Sequence, residues 1–245
     1  MLSKVVSNLH PPYNKKKQNM LQEENMRRRS FQIFTGIVIG LACLTLINAN
    51  SVQAACPTCR AYSVADVTDA SNYTAIHGYI TYGIPTIRDG GFSAEVVWIG
   101  GWTSNYIEIG WRRVNGSNPR LYWGYVDSGG GWHGPYWLGD NTTGHDYQIE
   151  HKTSDNKWHV YIDGVDKGSA TLGLSSGTMS AGGEVTDISS TQHNAMGISI
   201  FQNLSYMRNH TGYYSWSGWS STRVNYSYWF TGLSNNKFQN GGYNP

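Results

Sequence analysis

The chain has 245 residues, of which 14% are charged and 13% aromatic, with 29 glycines and 10 tryptophans. Its formal charge of +2 hides an asymmetry: seven of the 18 basic residues but two of the 16 acidic ones precede Arg60, leaving 11 against 14 from there on, about −3. A weakly acidic remainder of low charge excludes nucleic acid and anionic membranes as expected partners, and its Gly, Ser, Asn, Tyr and Trp content points to an extracellular β protein with aromatic-lined surfaces.

In chain order, basic clusters at Lys15–Lys17 and Arg27–Arg29 precede an apolar run from Phe31 to Ile47, and Val52-Gln-Ala54 supplies small residues at cleavage-site positions. Basic, apolar, small is the order of a secretory signal, with an uncleaved anchor as the alternative. Residues 1–54 are read as leader and signal peptide, with Met26, just before the arginines, as a natural start. No second apolar stretch follows, so a secreted protein without stable membrane insertion is expected after cleavage. Residues 55–72 read as a short N-terminal segment and 73–245 as one β domain, long enough to bury its own core. A monomer is expected. Cys56 and Cys59 form Cys-Pro-Thr-Cys. No strand–helix unit surrounds them as in a redox pair, and a local disulfide fits an oxidising location. A lipobox ending at Cys56 would need an apolar residue where Gln53 stands.

Beyond Arg60 no helical periodicity is sustained, while period-two alternation recurs. Predicted strands cover Tyr73–Tyr82, Phe92–Ile99, Tyr106–Val114, Leu121–Val126, Tyr147–Lys152, Trp158–Ile162 and Gly197–Tyr206. They are closed by turn signals such as Asn115-Gly116 and Asp163-Gly164. The tail from Tyr213 offers further edge strands. The expected fold class is all-β, an antiparallel β-sandwich or jelly roll.

Four glutamates lie beyond the leader: Glu95, Glu108, Glu150 and Glu184. Glu150 alternates with Gln148 and Lys152 and reads as solvated; Glu95, sharing a face with Ser93 and Val97, reads as exposed or paired. Glu108, in Tyr106-Ile-Glu-Ile-Gly-Trp111, shares a face with Tyr106, Gly110 and Arg112, opposite Ile107, Ile109 and Trp111. Glu184 follows two glycines in Ala181-Gly-Gly-Glu-Val185, which allow close approach of a backbone or ligand. Each is explained by an ordinary surface carboxylate. Converging on one pocket, the two would supply a general base and a proton donor, enough to hydrolyse an amide.

Further residues occur in an order that carries a resemblance: His77-Gly-Tyr79, Val97-Trp-Ile-Gly-Gly101, Ile107-Glu-Ile-Gly-Trp111, Arg120-Leu-Tyr-Trp123, Trp158, Gly182-Gly-Glu-Val185, Thr191-Gln192 and Phe201-Gln-Asn-Leu204. Over roughly 130 residues this set resembles the neprosin family of secreted glutamic peptidases. The resemblance implies a β-sandwich endopeptidase acting on peptide or protein substrates in acid, with Glu108 and Glu184 catalytic, no metal and no cofactor. In the plant members it also implies cleavage after proline. Trp111, Tyr122 and Trp123 are candidates for lining the cleft, and Gln192 for holding the tetrahedral oxygen. The plant proteins carry a long activation region where this chain has some twenty residues, and their paired cysteines have no counterpart after Cys59.

Gly129-Gly-Gly131-Trp-His-Gly134 matches a dinucleotide-loop pattern, but no helix follows, and it reads as a flexible loop. The eight histidines show no metal-ligand spacing and no nucleophile elbow occurs. Asn72, Asn115, Asn141, Asn203, Asn209 and Asn225 head glycosylation sequons. The alternative function is a carbohydrate- or wall-binding module using surface Trp132, Trp137, Trp216 and Trp219, and a third is an inert envelope protein.

Overall fold

The computed structural model describes residues 60–69, 72–88, 91–101, 105–186, 194–225 and 227–242. The expected signal peptide, Cys56, Cys59 and Gln192 lie outside them. Described residues are all-β, with two antiparallel sheets facing each other as a sandwich. The strands are β1 Arg60–Val67, β2 Tyr73–Ile80, β3 Phe92–Gly100, β4 Tyr106–Val114, β5 Arg120–Val126, β6 Trp132–Asp140, β7 His145–Lys152 and β8 Lys157–Ile162. They continue with β9 Val165–Ala170, β10 Thr178–Thr186, β11 Met196–Arg208, β12 Tyr213–Ser215, β13 Ser221–Val224, β14 Tyr228–Ser234 and β15 Lys237–Gly242. One sheet has the order β13-β1-β10-β3-β4-β5-β6, the other β14-β15-β11-β2-β7-β8-β9.

Alternation explains the layering. In β4, Ile107, Ile109 and Trp111 are fully buried and enter the core between the sheets, so Tyr106, Glu108, Gly110 and Arg112 point outward. Val97, Ile99, Met179 and Ala181 enter from the same sheet and meet Ile76, Tyr147, Trp158, Phe201 and Phe238 from the other. Each fully buried Val, Ile, Met or Phe among them contributes about 1.5–3 kcal/mol of transfer free energy. The outer face of the seven-stranded sheet carries a second apolar cluster of Val64, Phe92, Ala94, Val96, Trp98 and Tyr122, flanked by Tyr62 and Trp137. An aromatic outer face of this kind is a floor for a cleft.

Two sequence expectations change here. Of the short N-terminal segment expected at 55–72, residues 60–67 form β1 within the sandwich, pairing along their whole length with β10 and in part with β13. The tail from Tyr213 does add strands, β12 to β15, yet Trp216 is 2% exposed in the core and offers no surface platform. Its neighbour Trp219 packs against Phe230 and Phe238, whereas Trp132 is 39% exposed.

Candidate active site

Three cross-strand rows on the outer face set the geometry. The first runs Tyr62–Glu184–Ala94–Arg112, the second Val64–Gly182–Val96–Gly110–Tyr122, the third Asp66–Ser180–Trp98–Glu108–Gly124. The two glutamates therefore stand on a diagonal, with β3 between their strands and the row of Gly182, Val96 and Gly110 between them. Two of those three positions have no side chain, which keeps the diagonal open. Gly182 also has φ +153°, and an added Cβ would lie 2.4 Å from the Ser63 carbonyl oxygen. Backbone crowding thus dictates the glycine that opens the site.

Glu108 and Glu184 line one cavity of about 40 Å³ together with Arg60, Tyr62, Val96, Trp98 and Tyr106. That volume has room for water. Glu108 is 7% exposed and accepts a hydrogen bond of 2.8 Å from the Tyr122 hydroxyl. Burial first, and the neighbouring Glu184 charge second, push its carboxyl up to about 8, with Tyr122, Arg60 and Arg112 opposing. The Glu184 side chain is 12% exposed and both its oxygens lie within reach of Arg60 Nη1, at 3.0 and 3.1 Å. Burial raises its carboxyl also, but the charges of Arg60, Arg112 and Arg223 counter this. The pair is chemically unequal: one carboxyl rests against a phenol, the other among guanidinium groups.

On the Glu108 side, Gly124 stands directly across from Glu108, and a Cβ there would lie 2.4 Å from the Trp132 ring. Trp132 fills the space a side chain would take, and its ring approaches Tyr106 at 6.4 Å. On the Glu184 side, Phe92 lies beneath two guanidinium groups, Arg112 at 3.6 Å and Arg60 at 5.8 Å from the ring centroid.

Of the residues predicted from sequence, the fold brings Glu108, Glu184 and Tyr122 to this site. It does not bring Trp111 or Trp123. Both belong to the opposite parity of their strands: Trp111 is fully buried in the core beside Tyr82, and Trp123 stacks on Tyr136 at 4.4 Å. The alternation that pointed Glu108 outward already pointed Trp111 inward. Arg60, Tyr62, Trp98 and Tyr106 were missed. Parity with Glu108 identifies Tyr106 and, across β3, Trp98. No local signal identifies Arg60, whose partner is 124 residues away.

Glu95 is fully buried on the inner face, where Asn240 donates to it at 2.8 Å, and burial drives its carboxyl well above its ordinary range. It is paired, and away from the cavity. Glu150 is partly exposed and accepts from Gln148. The Gly129–Gly131 turn is tied down by Asp127, whose carboxylate accepts from the amides of both glycines at 2.9 Å. A larger cavity of about 570 Å³ lies on the other sheet, lined by Ile84, Met196, Ile198 and Trp229 among others. It has no titratable side chain and so supports no acid–base chemistry. Among the described residues, no cluster of His, Cys, Asp or Glu is arranged to hold a metal ion, and no helix is long and apolar enough to cross a membrane.

No family model and no curated protein matches this chain. Among solved structures it is similar to a scytalido-glutamic peptidase bound to a peptide-based transition-state analogue, with 10% identity over 75% of this chain and 98% of that one and a TM-score of 0.48. It is similar to the same extent to SCP-B, a member of the eqolisin family of peptidases, in complex with the tripeptide Ala-Ile-His (10% identity, 75% and 98% covered, TM-score 0.47). A κ-carrageenase from Pseudoalteromonas carrageenovora matches at 15% identity over 73% of this chain and 65% of that one, with a TM-score of 0.31. At these identities and scores the likeness is one of β architecture and carries no argument about activity.

Proposed function

We propose that the chain is a metal-independent glutamic endopeptidase of the neprosin type, exported and active in mildly acidic conditions. The observation that carries the reading is the pair of unequal carboxyls, Glu108 buried and Glu184 partly so, on one small polar cavity in an otherwise aromatic face. Withdrawing two carboxyls from water costs stability and is unnecessary for a sandwich.

Glu184 gives up its proton first, because arginines surround it, and Glu108 keeps its proton up to about 8. In the single-proton state of the coupled pair, Glu184 is ionised and Glu108, whose carboxyl is pushed up to about 8, is protonated. In that state Glu184 takes a proton from water as the water oxygen bonds to the scissile carbonyl carbon. Glu108 protonates the carbonyl oxygen, giving a neutral gem-diol. On collapse the C–N bond breaks, the proton on Glu184 passes to the leaving nitrogen, and a diol hydroxyl returns its proton to Glu108. Tyr122 holds the Glu108 carboxyl in place throughout. Cleavage after proline, which the neprosin resemblance implies, and export, for which the basic–apolar–small order of residues 27–54 speaks, belong to the same proposal.

The test is peptide hydrolysis by the purified protein across pH 3–9, on a mixed set with and without proline, beside Glu108→Gln, Glu184→Gln and a chelator control. Loss of cleavage in both variants with indifference to chelator is expected. Cleavage that survives in either variant overturns the reading. Two carboxyls are also the equipment of glycosidases, so polysaccharides are the control substrates. The exposed Trp132 and Tyr136 on β6 favour the carbohydrate-binding alternative, and sugar affinity that survives loss of either glutamate would mark a binding module.

A further inference from the structure

The dyad's asymmetry has an identifiable source. Arg60 opens β1, and its register partner Thr186 lies two residues beyond Glu184 on β10. Tyr62 is the residue directly across from Glu184, so Arg60 reaches the carboxylate from the next position on the same face. Its Nη1 lies 3.0 and 3.1 Å from the two carboxylate oxygens. Its guanidinium lies 5.8 Å from the centroid of the buried Phe92 ring, whose face carries Arg112 at 3.6 Å. Arg60 belongs to the wall of the cavity that both glutamates share.

Resting on the two-glutamate reading, we propose that Arg60 is the positioning residue of the dyad: it holds Glu184 ionised and fixed in orientation, and so decides that Glu184 is the base and Glu108 the acid. Arg60 touches neither water nor peptide in this scheme; it acts through Glu184. A planar guanidinium is pre-organised for a carboxylate and loses little freedom per hydrogen bond it forms, which suits it to a fixed post. Around Glu184 the other charged or titratable groups are Tyr62 on β1, Tyr106, Glu108 and Arg112 on β4, Tyr122 on β5 and Arg223 on β13. Arg60 contacts the carboxylate directly, and Arg223 is engaged with Asp66 at 2.5 and 2.8 Å.

The consequence is specific. Without the Arg60 charge, Glu184 holds its proton to higher pH and the acid limb of the rate profile moves up. Loss of a direct ion pair shifts a carboxyl by about one pH unit or more, which is about tenfold in rate on the acid side of the limb. The experiment compares kcat and KM against pH for the wild type, Arg60→Gln and Arg60→Lys. Glu184 is also titrated directly by carboxyl carbon NMR in a Glu108→Gln background, with and without Arg60→Gln. Expected are an upward shift of the acid limb in Arg60→Gln, recovery of the limb in Arg60→Lys, a KM within about threefold, and a matching rise in the Glu184 titration midpoint. A uniform fall in kcat with an unmoved limb, or an unmoved Glu184 midpoint, would overturn the proposal and leave Arg60 a structural ion pair. If no variant and no wild type cleaves peptide, the peptidase reading fails, while the NMR midpoint still decides what Arg60 does to Glu184.

Discussion

Replacing Glu108 with glutamine should abolish activity and make the protein more stable at neutral pH. In the folded chain the Glu108 carboxyl is pushed up to about 8 from 4.5, chiefly by burial. Between pH 4.5 and 7 the unfolded chain has released this proton while the folded chain retains it, so the native state binds more protons and stability falls as pH rises. Each pH unit costs about 1.4 kcal/mol, which makes about 3 kcal/mol at pH 7 relative to pH 4.5, the loss ending near pH 8. Glutamine keeps the shape and the acceptor for Tyr122 but has no proton to lose. Urea unfolding of wild type and Glu108→Gln at pH 4.5 and pH 7 measures the difference directly. The wild type should lose about 3 kcal/mol more than the variant across that interval, on the order of 10 °C in Tm for a domain of this size. Parallel pH dependences in the two proteins would refute the reasoning, because Glu108 would then ionise in the folded state as it does in the unfolded one.

Tyr122→Phe removes the hydrogen bond that favours the ionised form of Glu108, so the alkaline limb of kcat/KM should move to higher pH and kcat should fall about tenfold. Glu95→Gln should leave hydrolysis unchanged, since Glu95 faces the core, yet flatten the loss of stability between pH 5 and pH 7 in thermal melts. Its folded carboxyl is raised, so its contribution is present in acid and lost as pH rises. Gly182→Ala places a methyl against the Ser63 carbonyl at an unfavourable φ and should cost about 2 kcal/mol or more, read from the urea midpoint.

The fold class was legible because period-two alternation is a local property: the apolar parity of β4 marks its core face without knowledge of any other strand. The outward direction of Glu108 followed from the same alternation. The cleft lining did not, and the reason is instructive. Trp111 and Trp123 were picked for chemical type, being aromatic and close in sequence to the glutamate and to Tyr122, while their parity sends them inward. Trp98 and Tyr106 satisfy the parity and line the cavity. Side-chain direction is the stronger guide to which aromatic serves a site on a sheet.

What no local pattern reaches is the meeting of distant strands. That Glu108 and Glu184 share a cavity depends on β10 pairing with β3 in the one register that sets Gly182 opposite Val96 and Val96 opposite Gly110. A slip of one residue would turn Glu184 to the core face and Gly183 to the cleft. The two glycines before Glu184 have separate tasks. Gly182 faces the diagonal, where the Ser63 carbonyl leaves no room for a side chain, and Gly183 faces inward, where a Cβ would strike Met196, Asn240 and Glu95. The Gly-Gly-Glu motif therefore fixes the register of β10 from both faces of the sheet at once. The residue that follows is held where β1 can bring Arg60 to it. A strand that the sequence placed ahead of the domain thus supplies the charge that makes two chemically identical side chains unequal.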